Sequence, residues 1–248
     1  MIDWIFRPQC VGCGTPAATL CGACSASLVE LGPSCPRCAE PVGEPGLVAG
    51  DPPIAERGAG DAVDADPGGA VCRRCRTNPL PLDRVVAPWR FGGQLASAIR
   101  RLKFAGRAHL ARDLAPLWAP VLAAAVAEQD AIVVPVPLHW RRRWVRGYDH
   151  AWLLARHGCA LAGIASPIAA LRRIRHAPAQ STLPASERAA NVVGAFAVAR
   201  PVAGRAVVLV DDVMTTGATL AAAARALRRA GAAPITALVL ARATSALR

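Results

Sequence analysis

An α/β fold is predicted for this chain: a mostly parallel sheet with helices on both faces, preceded by a small Cys-rich metal-binding module. Three observations predict it. From about residue 85 onward, short apolar runs rich in Val, Ile and Leu alternate with helical patterns, which is how a parallel sheet with crossover helices reads. Hydrophobic residues make up 53% of the 248, enough for a substantial core. Eight of the nine cysteines fall into four Cys-x-x-Cys pairs: Cys10/Cys13, Cys21/Cys24, Cys35/Cys38 and Cys72/Cys75. The expected division is 1–78 for the Cys-rich module and 79–248 for the α/β domain, each with its own core.

Each Cys-x-x-Cys pair presents two thiolates to one ion, and two pairs complete a tetrahedral structural zinc site. Two zinc ions are therefore expected, against the alternative of redox dithiols. Grouping by order gives Cys10/Cys13/Cys21/Cys24 and Cys35/Cys38/Cys72/Cys75; the long second spacer leaves an interleaved grouping open. That spacer, 44–69, is rich in Gly, Pro, Ala and Asp, has no periodicity and carries six of the 17 acids. It is read as a disordered acidic loop. Cys159 stands alone in an apolar helical pattern and is read as core.

The α/β part begins with a linker at 79–81. A strand is expected over 85–91, a turn at Gly92-Gly93 and a helix over 95–104 carrying Arg100, Arg101 and Lys103. An apolar helix over 110–128 is interrupted by Pro116 and Pro120. The next strand, 132–137, ends in a basic loop, 138–143, where ligands of parallel sheets bind. A helix over 149–162 and a strand over 166–171 follow. The polar stretch 172–191 holds Arg172, Arg173, Arg175 and Arg188. A short strand over 194–199 comes next, and a final parallel strand over 235–241 ends the pattern.

The chemistry concentrates in Val207-Val208-Leu209-Val210-Asp211-Asp212-Val213-Met214-Thr215-Thr216-Gly217-Ala218-Thr219. The apolar run reads as a buried strand that the two acids stop. A small-residue turn leads into a helix over 220–230, closed by Gly231. Backbone N–H groups, three threonine hydroxyls and the helix dipole make this turn an anion site. Gly217 permits close backbone approach. Asp211 and Asp212 suit paired sugar hydroxyls, because a carboxylate accepts two hydrogen bonds side by side.

This stretch resembles the 5-phosphoribosyl-1-pyrophosphate (PRPP) binding motif of type I phosphoribosyltransferases at every position. Two further segments resemble the competence protein ComF family, which joins a Cys-rich zinc module to such a domain. One is Pro135-Val136-Pro137-Leu138 with Arg146-Gly147-Tyr148-Asp149-His150, where the family usually shows Arg-Gly-Phe-Asn-Gln. The other is Arg175, Gln180, Leu183, Arg188, Asn191 and Phe196, with Ala177 in place of a usual Thr; Leu102-Lys103-Phe104 also fits. The resemblance implies a type I phosphoribosyltransferase fold, with PRPP bound with Mg²⁺ by Asp211, Asp212, Thr215, Thr216, Gly217, Ala218 and Thr219. It further implies a role with incoming single-stranded DNA in natural transformation, alongside the DNA-uptake machinery. Two other readings are carried: a phosphoribosyltransferase acting on an unidentified base or amine, and a PRPP-sensing regulator without turnover.

The formal net charge of +12 calls for an anionic ligand. Arg141, Arg142, Arg143 and Arg146, with Lys103, Arg175 and Arg188, are the candidates for pyrophosphate or DNA. Trp140, Trp144, Tyr148 and Trp152 recur every four residues among these arginines, a pattern suited to base stacking. Trp152 is expected in the core, and Gly147 argues against one continuous helix. His139, His150 and His176 are weighed as general bases. No leader-like or membrane-spanning run is seen, so a cytoplasmic location is expected.

Overall fold

The computed structural model describes residues 9–17, 20–41, 71–104, 106–175 and 194–244. The expected acidic loop 44–69 lies outside the described residues, as do His176, Ala177, Gln180, Leu183, Arg188 and Asn191. Two short helices, α1 (Gly22–Ala26) and α2 (Arg73–Thr77), belong to the Cys-x-x-Cys pairs. The α/β part then runs β1 (Arg84–Val86), β2 (Trp89–Arg90), α3 (Gly93–Phe104), α4 (Leu110–Leu114), a 3-10 turn (Ala115–Leu117), α5 (Ala119–Ala127) and β3 (Ile132–Pro135). It continues with α6 (Trp140–Arg146), α7 (His150–Ala162), β4 (Leu171–Arg173), β5 (Phe196–Val198), β6 (Val207–Met214), α8 (Ala218–Arg229) and β7 (Ile235–Arg242).

The main sheet is parallel in the order β1-β7-β6-β3, with β2 continuing beside the far end of β7. Strand alternation splits the core into two layers. Val207 and Leu209 with Ala237 and Val239 face one side, where α8 supplies Leu220, Ala223 and Leu227. Val208 and Val210 with Leu238 and Leu240 face the other, against α3, α4, α5 and α7. Both faces of these strands are covered, which is why the runs are continuously apolar.

Several expectations need correcting. The acids do not stop the central strand: β6 runs through Asp211 and Asp212 to Met214, because β7 pairs with it as far as Met214–Arg242. The expected strand 85–91 is split at Pro88, which has no N–H to donate. The basic stretch 138–143 is not a loop; most of it forms α6, whose start His139 caps by accepting from Arg141 N at 3.3 Å. The strand placed over 166–171 is instead β4, which pairs antiparallel with β5 as a separate ribbon. Among the described residues no single helix is long and apolar enough to cross a membrane.

The expectation of two separate cores fails as well. Cys35, Cys38, Cys72 and Cys75 are buried in the same apolar cluster as β6, β7 and α8. Val11, beside Cys10, joins the opposite cluster, and Arg101 of α3 donates to Val11 O and Gly12 O at 3.4 and 3.3 Å. The two cysteine groups thus clasp the sheet from opposite faces. Cys159 is core as expected, and burial pushes its thiol up to about 11.

Candidate functional site

A cavity of about 750 Å³ opens at the carboxyl end of β6. Its walls come from five places: the end of α3 (Lys103, Phe104), the chain after β3 (Val136, Pro137, Leu138), α6 with the start of α7 (Arg141, Arg142, Arg146, His150), β4 (Arg173), and the motif itself (Asp211, Asp212, Thr215, Thr219).

The phosphate-type loop follows the strand directly. Gly217 holds φ +80°, and a side chain there would meet Met214 Cε at 2.6 Å, so the turn is built for glycine. Thr216 Oγ1 accepts from Ala218 N at 3.3 Å. Thr215 and Thr219 line the cavity, and the residue at the N-cap of the 12-residue α8, Gly217, has no side chain of its own to cap it. Thr216, Gly217 and Ala218 shape the turn between them.

The two carboxylates behave differently. Asp212 is 2% exposed; its Oδ2 lies 2.8 Å from Lys103 Nζ and 3.0 Å from His150 Nε2. Burial by itself would raise its pKa, but these two neighbours outweigh it and hold Asp212 below the usual carboxylate range. Asp211 is pushed up to about 7, first by burial and then by the charge of Asp212. Both acids line the cavity, but Asp212 already has a cation beside it, and Asp211 does not share those two contacts.

These shifts have opposite consequences for stability. A folded-state pKa above the unfolded one favours folding below the unfolded value of 3.8, and that contribution is lost as pH rises through about 7, as for Asp211. A lowered pKa, as for Asp212, gives stability that is present above 3.8 and lost as pH falls further. Asp211→Asn is therefore expected to raise the ligand-free Tm more at about pH 8 than at about pH 5. Thermal melts at both pH values check this; an equal gain at the two would contradict the assignment.

His150 is the residue that sequence reasoning undervalued. It sits where the ComF resemblance has Gln, is 5% exposed, and bridges two charged groups. Its Nε2 faces Asp212, and its Nδ1 is 3.4 Å from Arg146 Nη1. With an arginine donor at Nδ1, the Nε2–H tautomer satisfies both sides. The neighbouring departure, Asp149, is structural: it caps α7 by accepting from Ala151 N and Trp152 N, and it ties down Leu138 N at 2.8 Å. His139 is likewise a helix cap.

The arginines divide. Arg141, Arg142 and Arg146 line the cavity, with Arg146 over the Phe104 ring at 4.8 Å; Arg143 does not line it. Arg173 lines it too, whereas Arg175 lies outside and Arg188 outside the described residues. Lys103, considered for DNA contact, is the counter-charge of Asp212, and Arg101 braces the first cysteine group. The expected aromatic stripe breaks at Gly147, which has φ +78° at the end of α6. Trp140 (62% exposed) and Trp144 (86%) stand outward, but the Tyr148 hydroxyl turns inward to donate to Leu102 O. Trp152, expected in the core, is only half-buried.

The cysteines form two tetrads, grouped in chain order. In each, the four sulfurs lie within 4.8 Å of one another. Cys13 and Cys21 are 3.7 Å apart and Cys38 and Cys72 3.5 Å, close to the roughly 3.8 Å edge that Zn–S bonds of about 2.3 Å give a tetrahedron. The all-thiolate set fits structural zinc and leaves no open position for substrate.

Parallel sheet, threonine-glycine loop at a helix start and adjacent acid pair define a phosphoribosyltransferase-type domain, here clasped by a module of two cysteine tetrads. Family models agree: residues 153–247 match the phosphoribosyl transferase domain and residues 1–52 the double zinc ribbon domain. Cys72 and Cys75 lie beyond the second match and join their tetrad through the fold. The chain is 31% identical over 220 residues to "DNA utilization protein YhgH" of Salmonella typhi, covering 87% of each. It is 33% identical over 179 residues to "Competence protein F" of Haemophilus influenzae (69% of this chain, 78% of the relative). It is 26% identical over 168 residues to "Competence protein ComFC" of Bacillus subtilis (65% and 68%). The chain belongs to the ComF family.

Proposed function

We propose that this protein binds PRPP with Mg²⁺ in the cavity and contacts single-stranded DNA on the outer face of α6, serving DNA uptake on the cytoplasmic side. The observation that carries the first part is the threonine-glycine loop and the adjacent acid pair opening into one cavity walled by Arg141, Arg142, Arg146 and Arg173. In this reading Thr215, Thr219 and the loop amides take the 5′-phosphate. Asp211 accepts from the ribose hydroxyls. The arginines take the pyrophosphate, where planar guanidiniums can bind bidentately. Mg²⁺ suits the carboxylate and pyrophosphate oxygens of such a site and would neutralise part of their charge. Lys103 beside Asp212 makes Asp211 the carboxylate left to hold it.

Calorimetric titration tests this: PRPP should bind with Mg²⁺ and lose affinity without it. Absence of heat at millimolar PRPP and Mg²⁺ would refute the reading. The size of the cavity, about 750 Å³, also supports turnover by transfer to a base or amine, because an acceptor has room beside the ribose. Pyrophosphate release on adding candidate acceptors separates that reading from a sensor that only binds.

For DNA, the support is the names of the relatives together with α6 itself, which exposes Trp140 and Trp144 beside Arg141 and Arg143. Stacking is worth roughly 1–3 kcal/mol per base and depends little on salt. Each neutralised phosphate adds about −0.7 to the slope of log affinity against log salt. Trp144→Ala is therefore expected to weaken single-strand binding without changing that slope or the Tm, since the ring is 86% exposed. Arg143→Ala should flatten the slope by about 0.7. Filter binding at several salt concentrations checks both, and wild-type behaviour in both variants would exclude the α6 face.

A further inference from the structure

β7 is buried along its whole length and ends on Arg242, whose guanidinium is completely buried. A buried cation is costly unless its donors are satisfied. Those of Arg242 reach into two different parts of the molecule. Nη1 donates to Met214 O at 3.1 Å, to Thr215 O at 2.6 Å and to Ala243 O. Nε donates to Cys38 O at 3.0 Å, and Nη2 meets the Glu40 carboxylate. One side chain thus joins the Cys35/Cys38 knuckle to the first residue of the phosphate loop.

A second tie comes from the other knuckle of the same tetrad. Arg74, in the short helix that starts after Cys72 and contains Cys75, donates from Nη2 to Thr216 O at 2.8 Å. Two consecutive loop carbonyls are therefore held by arginines that reach the tetrad: Thr215 O by Arg242 of β7, which also binds Cys38 O, and Thr216 O by Arg74 of the tetrad's own helix. A trans peptide is planar, so holding the Thr215 and Thr216 carbonyls turns the following N–H groups, those of Thr216 and Gly217, away from the cluster. Among the described residues the first tetrad makes no such contact; its tie runs from Arg101 to Val11 and Gly12.

We propose that Arg242 and Arg74 are positioning residues through which the second cysteine tetrad sets the shape of the phosphate loop, and with it the affinity for a phosphoribosyl ligand. This rests on the phosphoribosyl reading of the cavity. It gives the second zinc ribbon a task beyond its own folding.

The test uses full-length protein with its metal content measured, titrated with PRPP and Mg²⁺ and followed by amide hydrogen exchange across 215–219. Arg74→Ala removes an exposed tie and should keep two zinc ions. It is expected to speed exchange in the loop and weaken PRPP by roughly three- to tenfold, the range of one lost hydrogen bond. Arg242→Lys keeps the charge but loses the planar fork, and should weaken PRPP further with zinc retained. Arg76→Ala is the control: it lies on the same helix but donates to Val71 O, and both readouts should match wild type. Wild-type loop exchange together with wild-type PRPP affinity in Arg74→Ala would overturn the proposal. If the wild type itself fails to bind PRPP, the phosphoribosyl reading falls, and the exchange comparison still decides whether the tetrad shapes the loop.

Discussion

Stripping zinc from the second cysteine tetrad is expected to unfold the sheet along with the N-terminal part. Cys35, Cys38, Cys72 and Cys75 are between 0 and 9% exposed and share one apolar cluster with Leu209, Val239 and Leu227. Arg242 adds a buried polar tie from Cys38 to the end of β6. Structural zinc supplies about 10–16 kcal/mol of apparent binding energy in small zinc modules. That is comparable to the roughly 5–15 kcal/mol by which a whole domain is stable. The first tetrad has an exposed member, Cys13, and among its neighbours only Val11 enters the core cluster while Arg101 braces it, so Cys10→Ser should release one ion and loosen mainly its surroundings. A stepwise chelator titration, with released metal and far-ultraviolet circular dichroism read together, checks this. The second equivalent should leave as the sheet signal collapses; a cooperative melt surviving the loss of both ions would show that the sheet stands alone.

Gly217→Val should have the largest effect on the ligand site. The position holds φ +80°, a conformation that costs a side-chain-bearing residue about 1–2 kcal/mol. A Cβ there would also lie 2.6 Å from Met214 Cε and 3.1 Å from Leu80 Cδ1, and such overpacking adds about 1–3 kcal/mol. A loss of roughly 2–5 kcal/mol in unfolding free energy is expected, with PRPP affinity below detection because the strain falls on the loop itself. Gly217→Ala shares the backbone strain but not the branched side chain and should fall between. Denaturant melts and calorimetry on the three proteins decide the matter; equal PRPP affinity in all three would mean that the phosphate sits elsewhere.

The motif and cysteine pairs were legible because their chemistry is local. Strand, acids, threonines and glycine fall within 13 consecutive residues, and each Cys-x-x-Cys knuckle is complete in four. The basic stretch after β3 was legible as charge but not as shape. Three closely spaced arginines read as a loop, and only the His139 cap and the Gly147 stop show a two-turn helix with one cationic side toward the cavity and tryptophans outside it. The arginines that matter elsewhere gave a fainter signal. Arg242 falls just past the strand expected over 235–241, where a cation gives no hint of burial, and Arg74 looks like any exposed base in a cysteine knuckle.

By itself, then, the sequence determined the alternation of strands and helices apart from α6, the two cysteine tetrads in outline, and the threonine-glycine loop. Each is set by period, by ligand spacing or by backbone freedom over a few residues. Tertiary structure alone decided which of the adjacent acids is neutralised. Asp212 meets Lys103 from 109 positions away and His150 from 62, while Asp211 is left without those two partners. It also decided that the metal module and the sheet share their core, because Arg242 and Arg74 reach across 204 and 142 positions to join them. Charge pairing and burial act through space, and the separation between such partners along the chain carries no record of their contact.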